Sequence, residues 1–318
     1  MSQGSVSHTA LGPGGEFDRI RAVLKRLGLR AASSGDDCAL VTIGDQHLAI
    51  STDLAIEGTH FRAGWLRPDE IGWRAGAAAL SDLAAVGATP LGVLASVGAQ
   101  LDWPEEFLAD LMEGVGAAAH AVGATVWGGD LVRSERLVID LMVVGRADVP
   151  VLRAGARPSD GLWVTGALGA PHAAVRSWEE GREPDAGARE RFAHPVPRVT
   201  EAHWLRDSGA TAMIDVSDGL VGDAGHLAAA SSVKCVIESE RVPVHGAADA
   251  PHDALVSGEE YELLATLPAG FSTEDATRFE EQFGLALTRV GSVRDGSGVL
   301  LLEASHPVDV PAGFRQFD

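Results

Sequence analysis

Apolar residues return at Phe17, Ile20, Val23, Leu24 and Leu27 before Gly28, a spacing that predicts an amphipathic helix over 17–29. Residues 1–13 show no such period and are expected to be a disordered leader. Short apolar runs predict strands over 38–43 and 48–52, the second giving out at Ser51, Thr52 and Asp53. A long helix is expected over 68–86, entered through "RPDE" and stopped by Gly87. A strand over 92–100 and a helix over 104–122 follow. "ATVWGGD" then reads as strand and turn, and "RLVIDLMVVGRA" as a long strand. Near Pro150 the texture turns glycine-rich, and strands recur over 162–165, 212–215, 234–237 and 261–266 with helices between them. The polar, proline-flanked stretch 177–197 is expected to be a surface excursion. The pattern predicts two mixed α/β units, 14–148 and 149–318.

Composition narrows the class. The chain has 318 residues, 46% of them hydrophobic, enough for an ample core. A net charge of −20 argues against general affinity for nucleic acid or anionic membrane. It leaves phosphate ligands open, provided divalent cations stand between two negative partners. Lys25 and Lys234 are the only lysines, so arginine supplies nearly all the positive charge. Cys38 and Cys235 have no metal-type spacing and are expected to be buried small hydrophobes. With no membrane-length apolar run and no basic-then-apolar leader, a cytoplasmic protein is expected.

The chemistry lies in recurring aspartates: "GDD" (Asp36, Asp37), "STD" (Asp53), "LSDLAA" (Asp82), "GGD" (Asp130) and "DVSDG" (Asp215, Asp218). Each alone reads as readily as a turn or cap residue. Asp82 stands out because Ala79, Leu80, Leu83 and Ala84 around it look buried, and a buried carboxylate is costly unless paired or metal-bound. Hard oxygen ligands with few imidazoles or thiolates suit Mg²⁺ bridging to phosphate. No GxxxxGK[ST] loop, GxSxG elbow, HExxH or CxxC occurs. "VWGGDLVRS" and "VTGALG" are candidate phosphate cradles, Arg133 and Arg153 candidate phosphate partners, and Ser217 or Asp218 could open a helix near Leu220. The acidic run in "SGEEYELLATLP" (Glu259, Glu260, Glu262) reads as a solvated charge run before a strand.

These motifs in this order resemble the thiamine-monophosphate kinase family of the AIR-synthetase-like superfamily, nearly end to end. "GEFDRI", "GDDCAL", "LAISTDLAIEGTHF", "LSDLAAVGATP", "GGDLVRS", "RAGARPSDGLWVTGALG", "MIDVSDGLVGDAGHLAAAS", "SGEEYELL" and "GFRQF" carry the likeness. The resemblance implies a two-domain α/β fold in which the N-terminal domain pairs with its dimer mate into a β-barrel. It implies transfer of the γ-phosphoryl group of ATP to thiamine monophosphate, with several Mg²⁺ ions. Carried over by position, Asp37, Ser51, Thr52, Asp53, Asp82, Asp130, Asp215 and Asp218 would be the magnesium ligands. Gly129, Asp130, Arg153 and Ser217 would meet ATP, and His60, Glu259 and Phe314 thiamine monophosphate. Asp53, Asp130, Asp218 and Arg153 would carry the catalysis. The chain departs from the family pattern at "SGEE" (usually GGED), at Ala79 (usually Asn) and at Phe314 (often Tyr or Trp).

A sister enzyme of the superfamily is the nearest alternative. A selenophosphate synthetase should carry Cys or selenocysteine in residues 1–35, where this sequence has none. A hydrogenase-maturation protein should end in cysteine, where this sequence has Asp318. Aminoimidazole ribonucleotide synthetase is a third, and a non-catalytic nucleotide-binding regulator, the reading from a different class, would not need every aspartate.

Overall fold

The computed structural model describes residues 8–31, 35–248 and 250–311. The chain runs α1 (Gly15–Leu27), β1 (Ala39–Ile43), β2 (Gln46–Ile56), α2 (Pro68–Ala85), β3 (Thr89–Ala99), α3 (Glu105–Ala121), β4 (Thr125–Arg133) and β5 (Val138–Arg146). It continues with β6 (Gly161–Thr165), α4 (Ala170–Glu179), α5 (Ala186–Ala193), α6 (Val199–Asp207), β7 (Ala212–Asp215), α7 (Leu220–Ser231) and β8 (Lys234–Glu238). It closes with α8 (Pro251–Val256), β9 (Leu263–Leu267), α9 (Thr273–Phe283), β10 (Leu287–Arg294), β11 (Gly298–Glu303) and β12 (His306–Val308). The mixed α/β class predicted from the pattern is the one observed. Among the described residues no helix is long and apolar enough to cross a membrane.

The N-terminal sheet has the order β1-β2-β5-β3-β4. Its strands alternate: Ala49, Ile139, Leu141, Val143, Val93 and Val97 are buried, while Leu54 and Met142 stand exposed on the other face. α2 covers the buried face. Its run of alanines and glycines allows burial on nearly every side, because small residues let neighbours approach all round. Two glycines set its distance from α3: a Cβ at Gly72 would lie 1.8 Å from the Leu111 carbonyl oxygen, and one at Gly114 1.9 Å from that of Asp69.

The C-terminal sheet has the order β12-β11-β8-β10-β6-β9-β7. β6, β7 and β9 are buried throughout, as expected of strands covered on both faces. Successive residues divide between two cores: Leu162, Val164, Ile214 and Leu264 pack under α7 and α8, whereas Trp163, Met213, Leu263 and Ala265 pack with α6 and α9. This is period-two alternation in strands with no polar face.

Four expectations are corrected. β2 does not end near Thr52; Leu54 and Ile56 continue the alternation and pair with β5 as far as Val138, so Asp53 is mid-strand opposite Leu141. "GGD" is not a turn after a strand but lies within β4. Gly128 takes φ 142 beside a register shift, and a Cβ at Gly129 would lie 1.7 Å from the Ala95 carbonyl oxygen, so the glycines let β3 and β4 approach. Residues 177–197 are no surface excursion, because α4 and α5 dock on the N-terminal unit. Ala173, Ala174, Ala188, Phe192 and Ala193 join its core, and the Trp65 and Trp178 rings stack at 4.9 Å. The 259–262 charge run is not solvated, since Glu260 and Glu262 are each 1% exposed.

Both cysteines are buried, as expected. Of the stretch expected to be a leader, residues 8–13 take neither helix nor strand. Gly12 is buried against His226, and its carbonyl accepts from Arg21 at 2.9 Å.

Candidate functional site

Asp37, Asp82 and Asp215 each offer an oxygen within 4.8 Å of the others. The turn before β1, the body of α2 and the end of β7 supply them, so the trio forms where the two units meet. Adjacent α2 residues tie it together: Ser81 Oγ donates to Asp215 at 2.7 Å, and Ser51 Oγ on β2 donates to Asp82 at 2.6 Å. Arg153, in the coil between β5 and β6, donates Nε and Nη2 to Asp37 at 3.1 and 2.5 Å and its backbone N–H to Asp36 at 3.2 Å.

Burial and mutual repulsion press on these carboxylates. Asp215 is pushed up to about 7 by burial and then by Asp37, and Asp36 to about 6 by burial and Asp37. Asp82 rises well above the usual carboxylate range through burial, Asp215 and Asp37. Asp53 shares the β2 face of Ser51 and is also raised, chiefly by burial. Arg153 pairs with Asp37, yet the set keeps an excess of negative charge at Asp82, Asp215 and Asp53, and an all-oxygen donor set suits a hard divalent ion.

A cavity of about 230 Å³ opens over the trio, bordered by Asp53, Asp82, Arg153, Asp215, Ser217 and Asp218. Asp218 belongs to a second group with Asp223 and His226, again within 4.8 Å. Asp223 accepts the N–H groups of Ser217 and Asp218, both at 3.1 Å. Burial and Asp218 hold the Asp223 carboxyl well up, and burial takes His226 down to about 3. Neither Ser217 nor Asp218 opens the following helix, as the sequence suggested; Gly219 is its N-cap and makes no side-chain cap bond.

A second cavity, of about 350 Å³, is more apolar, with Phe61, Trp65, Pro171 and Val175 in its wall. His60, Phe61 and Glu259 border both cavities and so form the partition between them. His60 Nδ1 accepts from the Ile56 N–H at 3.1 Å.

Other expected residues lie elsewhere. Asp130 and Thr52 point to the open sheet face: Asp130 shares a cross-strand row with Ser96, Asp140 and Leu54, one residue out of phase with Asp53. Both are exposed, as are Gly129 and Arg133. "VTGALG" is not a phosphate cradle, because Glu260 Oε1 takes the Gly169 N–H and the Gly166 N–H bonds to Ala286. Phe314 lies outside the described residues. Arg74 and Tyr261 also border the aspartate cavity, and with Ser81, Asp223 and His226 they join the site without standing out in the sequence. Arg74 left one signal, as the only cation in the apolar run of α2.

Comparisons with known proteins give the family and the fold. Residues 35–147 match the AIR synthase related protein N-terminal domain, and residues 157–302 match the C-terminal domain. The thiamine-monophosphate kinase of Mycobacterium tuberculosis (strain ATCC 25618 / H37Rv) is 34% identical over 278 residues, covering 81% of this chain and 84% of that protein. That of Halobacterium salinarum is 38% identical over 253 residues, covering 78% and 84%. Among solved structures, AaThiL complexed with AMPPCP and TMP superposes with a TM-score of 0.84 at 30% identity, over 95% of this chain and 97% of that one. A hydrogenase maturation protein HypE in complex with ATP, at 20% identity and a TM-score of 0.72 over 88% of each chain, shares the fold.

Proposed function

Since the chain belongs to the thiamine-monophosphate kinase family, we propose that it transfers the γ-phosphoryl group of ATP to thiamine monophosphate, giving thiamine diphosphate and ADP. The observation that carries this reading is the pairing of two unlike cavities across one partition. An aspartate cavity with an excess of negative charge suits metal-shielded phosphates, and an apolar one suits a heteroaromatic acceptor.

Asp37, Asp82 and Asp215 would hold Mg²⁺, with Asp53 and Asp218 facing the same cavity and Ser51 orienting Asp82. Bound magnesium supplies screening of the charge on the two phosphate chains. The attacking phosphate oxygen is already ionised at neutral pH, so no side chain has to remove a proton. The protein's task is alignment. Arg153 keeps Asp36 and Asp37 in place and presents the cavity's margin with a cation, and Ser217 on the same margin would meet the nucleotide; Gly129, next to Asp130 on β4, would do so from a second copy of the chain. His60 and Glu259 would meet the acceptor at the partition, and Phe314 would cover its ring.

Thr52 and Asp130 fit this assignment through a second copy of the chain. They lie on the sheet face that leaves Leu54 45% and Met142 39% exposed, beside an edge strand carrying Trp127 and Leu131 in the open. An apolar sheet face next to an unpaired edge favours association. Closing that face against its mate into a barrel would bring Asp130 towards a phosphate site. The reading therefore includes a homodimer, working in the cytoplasm.

A coupled assay of ADP release tests the activity, with thiamine monophosphate set against thiamine and aminoimidazole precursors. ADP formed at saturating magnesium only with thiamine monophosphate is the expected result. Turnover with another acceptor and none with thiamine monophosphate would overturn the reading.

A further inference from the structure

Glu259 stands in the partition between the cavities, yet its local backbone does not favour that place. It adopts φ 58, and Tyr261 two residues on adopts φ 54, both in the left-handed region that is unfavourable for a residue other than glycine. Contacts from elsewhere must hold it. The Glu259 N–H donates to the Ser217 carbonyl at 2.7 Å. Its carboxylate is gripped by a guanidinium nitrogen of Arg74, a residue 185 positions away on α2.

Arg74 is unusual for its surroundings. It is 4% exposed in the middle of α2, where its near neighbours Ile71, Ala75, Ala77 and Ala78 are buried and apolar. Its second Nη donates to the Phe192 carbonyl at the end of α5, and its guanidinium carbon lies 3.6 Å from the centre of the Phe192 ring. Phe192 also packs against Trp65 and Trp178, at 6.4 and 5.3 Å between ring centres, and Trp65 is in the wall of the apolar cavity. One side chain thus links three parts of the acceptor region: α2, the Glu259 segment and the α4–α5 hairpin that supplies Pro171 and Val175. A planar fork suits this geometry, because its donors diverge at fixed angles towards two acceptors.

We propose that Arg74 is a positioning residue for the acceptor: from α2 it fixes the Glu259 carboxylate in the partition and, through Phe192, the width of the apolar cavity. The inference rests on the proposed function only in taking Glu259 as an acceptor contact. Arg74 also borders the aspartate cavity, but its carboxylate partner is Glu259 in the partition while Arg153 holds Asp37 independently, so losing Arg74 should fall mainly on the acceptor and much less on ATP.

The test uses the full chain with Arg74→Met, Arg74→Lys, Glu259→Gln and the Arg74→Met/Glu259→Gln double variant. Activity of the unaltered protein with thiamine monophosphate is measured first. Its failure would count against the proposed function and not against Arg74. Arg74→Met should raise the KM for thiamine monophosphate at least about ten-fold, the scale of a lost charge-assisted hydrogen bond, with the KM for ATP within about two-fold. In the Glu259→Gln background the same change should add clearly less than in the unaltered protein, since only the Phe192 route is left to lose. Arg74→Lys keeps the charge but not the fork and should raise the acceptor KM several-fold; it decides the matter if the methionine variant does not fold. Unchanged acceptor KM in a folded variant, or equal rises in both KM values, would overturn the proposal, as would full additivity in the double variant.

Discussion

Replacing Arg198 by methionine should destabilise the protein by about 3 kcal/mol while leaving kcat of the folded enzyme nearly unchanged. Glu262 has a side chain 1% exposed, and Arg198, 10% exposed, meets it with Nε at 2.9 Å and Nη2 at 2.6 Å. Burial raises the Glu262 carboxyl, but Arg198 and then Arg191 outweigh it and hold the group below its ordinary value. Breaking a buried pair costs about 3–5 kcal/mol because one charge stays behind unshielded. The lower end applies, since Arg191 Nη2 at 2.8 Å and Thr165 Oγ1 at 2.6 Å remain on Glu262. Urea titration at pH 7 should show the loss as a shifted midpoint, and heating as a fall of roughly 6–12 °C at about 2–4 °C per kcal/mol. The sign of the pH dependence follows from the lowered value. The pair contributes fully above the ordinary glutamate range of about 4.5, and that contribution is lost as pH falls through the folded value, so the two proteins should converge in acid. Adding Glu262→Gln to the variant should restore part of the stability by removing the stranded charge. A loss below about 1 kcal/mol would refute the buried-pair argument.

Asp53→Asn should keep or raise the melting temperature of the metal-free protein, since burial opposes its charge, while lowering kcat at least about a hundred-fold at saturating magnesium; a near-normal kcat there would sink its role. Asp36, Asp215 and Asp218 have folded values of about 6, 7 and 6. Acids raised on folding oppose it once ionised, so stability of the metal-free protein should fall as pH rises from about 4 to about 7, and magnesium should raise the melting temperature more at pH 8 than at pH 5. Equal magnesium shifts at the two pH values would contradict the assignment. Leu54→Arg on the open sheet face should give a monomer in sedimentation with little kinase activity, and an active dimer from that variant would place the interface elsewhere. Phe314→Ala should raise the KM for thiamine monophosphate roughly ten-fold with ATP unaffected; if neither constant moves, the residue has no part in acceptor binding.

Local patterns made some of this legible and could not reach the rest. Asp82 was readable because an acidic residue among Ala79, Leu80, Leu83 and Ala84 conflicts with its own helix, and such conflicts collect at functional sites. Alternation recovered the strands, yet three oxygen-bearing residues at 51–53 looked like a strand end when the partner strand β5 carries β2 four residues further. Which face an aspartate takes depends on that register. A one-residue step separates Asp53, over the cavity, from Thr52, on the far side. Glu260 and Glu262 look solvated in sequence because their arginines, Arg191 and Arg198, come from segments more than sixty residues away. The α4–α5 hairpin was misread for the same reason. Its proline-flanked polar surface is visible locally, whereas the Trp65–Trp178 stack and the Arg189–Glu70 pair at 2.9 Å are not.

The mutual glycine contact of α2 and α3 has a mechanical side. Gly72 and Gly114 leave no slack between the helices, so the near end of α2 is clamped, and the clamp lies about 15 Å along the axis from Asp82 at 1.5 Å per residue. Beyond that clamp α2 carries Arg74, Ser81 and Asp82. A methyl group at either glycine would have to push the two helices apart, because backbone oxygen stands where the methyl must go. The metal-binding carboxylate and the acceptor-gripping guanidinium would move together. Substitutions with no contact to either substrate could in this way trade affinity for one against affinity for the other.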